Sequence, residues 1–84
     1  MIYNVEKYHK TETGETSSTV KVEKADATEA YEKALETFYE LNKNYMADKS
    51  VLAWRTAVIC PMDMTIKKQD GYSRLVKEPT EVVE

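Results

Sequence analysis

At 84 residues the chain has room for one domain with a single small core, and 42% hydrophobic with 32% charged residues excludes the apolar-poor composition of a disordered segment. Twelve Lys and Arg stand against 15 Asp and Glu, a formal net charge of −3, which argues against a general counterion-release grip on nucleic acid. One cysteine excludes an intramolecular disulfide, and the absence of an apolar run suited to export or spanning leads us to expect a cytoplasmic chain with no membrane partner.

From Ile2 to Lys10, Tyr3, Val5 and Lys7 alternate with Ile2, Asn4, Glu6 and Tyr8, the period-two pattern of a strand. The polar stretch TETGETSS follows, and alternation returns over Ser18 to Glu23 with Val20 and Val22 on one side. A turn at Thr13-Gly14, or a loop from Glu12 to Glu15, predicts a hairpin with Val5 opposite Val22, Lys7 opposite Val20 and Tyr3 opposite Lys24.

The period then changes to 3.6. Ala27, Ala30, Tyr31, Ala34, Leu35, Phe38, Leu41 and Tyr45 draw one apolar stripe down a helix expected from about Ala27 to Met46. Asp26 is placed to accept from the Glu29 amide, with Glu29 reaching back, as in a capping box. Glu29, Glu32, Lys33, Glu36, Glu40 and Lys43 make a solvated opposite face, with Glu29 and Lys33 spaced for a favourable pair.

Val51 to Cys60, VLAWRTAVIC, is the most apolar run and reads as a central strand. Its Trp54 and Val58 side is expected to meet the helix, leaving Val51, Ala53, Arg55, Ala57 and Ile59 on the other side with no helix to cover them. In CPMDM, Cys60, Met62 and Met64 bring three sulfurs into five residues, as a soft metal would require. With no second cysteine, and with His9 on another strand, the stretch reads instead as a turn built on Pro61 and Asp63, and neither metal nor cofactor is expected. Alternation restarts at Met64 and Ile66 for a fourth strand. Residues 1–76 are expected to form the domain and 77–84 a flexible acidic tail.

The order strand, strand, helix, strand, strand predicts an α+β two-layer sandwich, a four-stranded antiparallel sheet with one helix on one face. Two strand orders stay open: the second and third strands adjacent and parallel, or the first strand inserted between them. The layout Tyr3-x-Val5, TGE, a Val-containing strand and DATEAYEKAL resembles a loose group of short uncharacterised proteins carried by phages and prophages of Gram-positive bacteria. The resemblance covers the chain to about Tyr72 and implies a host-cell cytosol and an accessory role; it carries over no site residue.

No nucleophile elbow, phosphate-binding glycine loop or paired-His motif surrounds His9, Cys60 or the serines, so an enzyme is not expected. Two binding readings remain. The first is protein interaction through Val51, Ala53, Arg55, Ala57 and Ile59, as a homodimer or with a host protein, because small alanines permit close approach and arginine suits interface anchors. The second is a single-stranded nucleic-acid module using Lys67, Lys68, Tyr72 and Arg74, with Arg55, Lys77 and Tyr8 in support.

Overall fold

A computed structural model describes residues 1–62 and 64–72. Strands β1 (Ile2–Thr11) and β2 (Gly14–Glu23) precede helix α1 (Ala27–Ala47), and strands β3 (Ala53–Ile59) and β4 (Thr65–Tyr72) follow it. All neighbouring strands are antiparallel, in the order β2-β1-β3-β4, so the first strand is the one inserted and α1 carries the chain over it from one sheet edge to β3. The α+β sandwich with its single helix layer is thus the fold. The expected tail, and the domain boundary at residue 76, lie outside the described residues.

The first hairpin is shifted from its expected register by two residues. Val5 pairs with Val20 and Tyr3 with Val22, because the loop is only Glu12-Thr13 between paired Thr11 and Gly14. Thr11 supports this short loop: its hydroxyl accepts from the Thr13 amide at 3.3 Å and donates to the Gly14 carbonyl at 3.4 Å. Gly14 has φ +152°, a conformation closed to most side chains. A two-residue shift preserves facing, so Val5 and Val22 still share one side.

Helix α1 begins where the sequence places it, but Asp26 caps through the Thr28 amide at 3.0 Å and not through that of Glu29. On its outer face Lys33 pairs forward with Glu36 at 3.2 Å, in place of the expected Glu29 partner. Ala30, Ala34, Phe38 and Asn42, each four apart, are its buried residues. The alanines bring the helix close to the sheet, and Phe38 fills the centre with Val5, Val22, Ala34 and Val58. Half-buried Tyr3, Val20, Leu35 and Leu41 ring that cluster.

Asn42 is a buried polar residue inside this apolar stripe. Thr56, also buried, donates its hydroxyl to Asn42 Oδ1, and Asn42 Nδ2 donates to Gln69 at 3.3 Å. The chain of bonds ties α1 to β3 and β4, so the polar atoms stay paired and the helix is held to one position over the sheet.

At the helix end Asp48 accepts from the Ser50 hydroxyl at 2.7 Å and the Ser50 amide at 2.9 Å, and its own carbonyl accepts from Val51. These bonds hold the Asp48 carboxyl below its ordinary range, with a smaller contribution from His9. The turn delivers Leu52 to the Lys10 carbonyl at 2.7 Å, which starts the β1–β3 ladder. Trp54 then packs between Tyr45, 5.9 Å away between ring centroids, and Gly71, where a Cβ would stand 2.6 Å from the indole nitrogen.

Candidate functional site

The pairing register sorts every strand residue to one of two faces. Tyr3, Val5, Lys7 and His9 share the helix side with Val20, Val22, Trp54, Thr56 and Val58. This bears out the expectation that the Trp54 and Val58 side meets the helix, since both are buried there. The other face is bare among the described residues. Crossing the sheet from β2 to β4, one of its rows is Ser17, Tyr8, Arg55 and Asp70, and the next is Thr19, Glu6, Ala57 and Lys68.

Arg55 lies over the Tyr8 ring with its guanidinium carbon 4.3 Å from the centroid. Beside it, Ala57 is the small residue of a shallow depression of about 500 Å³ rimmed by Glu6, Tyr8, Arg55, Lys68 and Asp70. Among the described residues the ion pairs are Lys21 with Glu23 and Lys33 with Glu36, so Glu6, Arg55, Lys68 and Asp70 hold four charges without an ionic partner. Counted over the described residues of the face, Lys10, Lys21, Arg55 and Lys68 balance Glu6, Glu15, Glu23 and Asp70.

The structure keeps four of the five residues singled out on the third strand together. Ala53, Arg55, Ala57 and Ile59 alternate down the open side of β3. Val51 separates from them: it precedes the strand, is only 6% exposed, and lines a crevice with Tyr45, Met46 and Trp54 on the helix side. The turn at Asp48 pulls it under the helix end, which the period-two pattern of the run does not reveal. Ala53 is buried between its neighbours, so the accessible part of the set is Arg55, Ala57 and Ile59.

The basic set is split instead of gathered. Lys67 pairs with Val58 on the helix side, and its ammonium sits 5.9 Å from the Tyr39 ring of α1. Lys68 and Tyr72 occupy open-face positions, and Arg74 and Lys77 lie outside the described residues. With Asp70 between Lys68 and Tyr72 and with Glu6 across Ala57, the described residues of the face carry no net basic charge to track a phosphate backbone.

Chemistry at the remaining candidates is limited by position. His9 packs on Tyr45 with ring centroids 5.2 Å apart and pairs with Trp54, whereas Cys60 lies six residues beyond Trp54, just past the end of β3 and roughly 20 Å away at the strand rise. The two are therefore too far apart to act as a dyad. Burial pushes the Tyr45 hydroxyl up from its ordinary value, away from acid–base work near neutrality. Cys60 is half-buried and its amide donates to the Met64 carbonyl at 2.9 Å, while Met62 and Met64 are exposed and Asp63 lies outside the described residues. The bond closes the β3–β4 turn. No cluster of three His, Cys, Asp or Glu placed for a metal occurs among the described residues, and no described helix is long and apolar enough to cross a membrane.

Sequence reasoning passed over Glu6 and Asp70, the acidic half of the open-face charge pattern. Each looked like an ordinary solvent position in its own strand. Only the register brings them around Ala57 with Arg55 and Lys68. Comparison with protein families, with curated proteins and with solved structures found no match to this chain.

Proposed function

We propose that this chain is a non-enzymatic protein-interaction module that self-associates through the open face of its sheet. The observation that carries the reading is the arrangement around Ala57: four exposed charges of both signs, without ionic partners among the described residues, around a depression with a small residue in it. Mixed charge on an uncovered sheet suits the selection of one protein surface over others more than it suits a polyanion. The face is polar enough to remain soluble when free, and Ala57 permits the close approach that packed sheets require. A host protein on the same face would fit the accessory role implied by the phage-type resemblance, and a second copy is the simpler occupant.

The test is the solution mass across a dilution series, by light scattering coupled to size exclusion, for the native chain and for Ala57→Arg. Arg at position 57 fills the depression without entering the core on the helix side. A reversible dimer abolished by Ala57→Arg, with an unchanged thermal midpoint, supports the reading. A native chain that stays monomeric at millimolar concentration, or a dimer indifferent to Ala57→Arg, overturns it.

A further inference from the structure

We infer that the occupant of the open face is a second copy docked about one particular two-fold axis, which makes Asp70 and Lys68 a reciprocal recognition pair. This rests on the reading of the open face as an interaction surface and adds its partner and its geometry. The argument begins with symmetry. A two-fold dimer uses the same patch on both copies, so a charged patch can join itself only if one half of its pattern is complementary to the other half.

The two central rows meet this condition. An axis lying in the interface, perpendicular to the strands and midway between the rows, lays each row upon the other row of the partner. Asp70 then faces the partner's Lys68, and Lys68 faces the partner's Asp70. Arg55 stands over the partner's Ala57, where the depression receives its side chain, one strand spacing of roughly 5 Å from the partner's Glu6.

The next rows outward agree. Glu15, Lys10 and Ala53 share one register line, and Lys21, Asn4 and Ile59 share the line that the axis lays upon it. Glu15 therefore meets the partner's Lys21, and Ala53 meets the partner's Ile59. Among the described residues, no two like charges are superposed. The other simple axis, parallel to the strands and midway between β1 and β3, places Arg55 on the partner's Tyr8, Asp70 on the partner's Ser17 and Lys68 on the partner's Thr19. That arrangement joins no opposite charges among the described residues, so the charge pattern selects the first axis.

The free chain is consistent with this assignment. Glu6, Arg55, Lys68 and Asp70 have no intramolecular ion pair among the described residues, and Lys21 reaches Glu23 only at 3.9 Å with both side chains 63% exposed. A partner can thus engage Glu6, Lys68 and Asp70 without first breaking an internal ion pair, while Arg55 gives up its contact with the Tyr8 ring.

The experiment is a charge swap read by sedimentation or light scattering at low salt. Lys68→Asp and Asp70→Lys each turn two reciprocal attractions into repulsions, and each variant alone is expected to dimerise roughly a hundredfold more weakly than the native chain. An equimolar mixture of the two variants is expected to form a heterodimer, because one copy then carries two acids and the other two bases. The doubly swapped chain, Lys68→Asp with Asp70→Lys, is expected to recover the homodimer. Equal thermal midpoints for all forms exclude misfolding as the cause of weakening.

Single variants that keep native affinity, or a mixture and a double swap that both stay monomeric, overturn the pairing. If Ala57→Arg abolishes the dimer while the swaps do not restore one another, the axis is wrong and the open-face reading stands. If Ala57→Arg is without effect, the face reading itself fails.

Discussion

The buried bond between Thr56 and Asn42 allows a sharp test of what holds the helix to the sheet. Both residues are almost wholly buried, at 2% and 3% exposure, and Thr56 donates to Asn42 Oδ1. Thr56→Val removes the donor and leaves the carbonyl oxygen of Asn42 dry, at a cost of about 1–3 kcal/mol. Asn42→Leu strands the Thr56 hydroxyl at a similar cost; the amide bond to Gln69 is also lost, but Gln69 is exposed and water replaces its partner. The double variant leaves neither polar group behind and adds apolar contact beside Phe38, so it is expected to lie within about 1 kcal/mol of the native chain. The two single costs therefore cancel in the double variant, with a coupling of roughly 2–4 kcal/mol. For a domain this size, at about 4–8 °C per kcal/mol, each single change lowers the midpoint by about 4–24 °C. Urea unfolding followed by the fluorescence of Trp54, the sole tryptophan, measures all four proteins in one assay. A double variant as unstable as the sum of the singles would refute the claim that the cost is one of unpaired buried groups.

Three further outcomes follow from local geometry. Gly71→Ala drives a methyl to 2.6 Å from the Trp54 indole nitrogen, so we expect a loss of about 1–3 kcal/mol with a shifted tryptophan emission; unchanged emission and stability would show that the ring yields freely. Asp26→Ala removes the cap on Thr28 and should cost about 1 kcal/mol by thermal melting, with Asp26→Ser retaining most of the stability. The Asp48 carboxyl is held below 3.8, so its contribution is fully present above pH 3.8 and is lost as pH falls through its lower folded value. Ser50→Ala, which deletes the hydroxyl donor, should make acid unfolding below pH 3.8 less steep, and an unaltered acid limb would contradict the assignment.

The local parts of the fold were legible because their signals are short-range. The alternation at Tyr3, Val5, Val20 and Val22, the 3.6-residue stripe from Ala27, the Asp26 start and the Pro61 turn each follow from neighbours a few residues apart. The side of β3 that meets the helix was readable for the same reason: Trp54 and Val58 fall on one side of an alternating run whose other side carries the charge of Arg55. Near misses arose where two local solutions were compatible with the pattern. Both hairpin registers put the valines on one side, and the one adopted carries the Thr11 hydroxyl bonds and the positive φ of Gly14 in its turn.

Contacts between distant segments were not legible. Asn42 reads as a polar interruption of the helix stripe until Thr56, 14 residues on, and Gln69, 27 residues on, are brought to it. Val51 continues the apolar run of β3 in sequence, yet the Asp48 turn sends it beneath the helix. Lys67 and Lys68 are adjacent in the chain and lie on opposite faces, because pairing with Val58 and Ala57 fixes their directions. The open-face charge pattern is likewise a product of register across four strands. Alternation and helical period by themselves determined which segments are strands, which is the helix and which side of each is apolar, since those depend on backbone geometry within one element. Strand order, the partners of Asn42 and the gathering of Glu6, Arg55, Lys68 and Asp70 around Ala57 were decided only by tertiary structure, because pairing energy depends on which segments meet and period alone does not encode that.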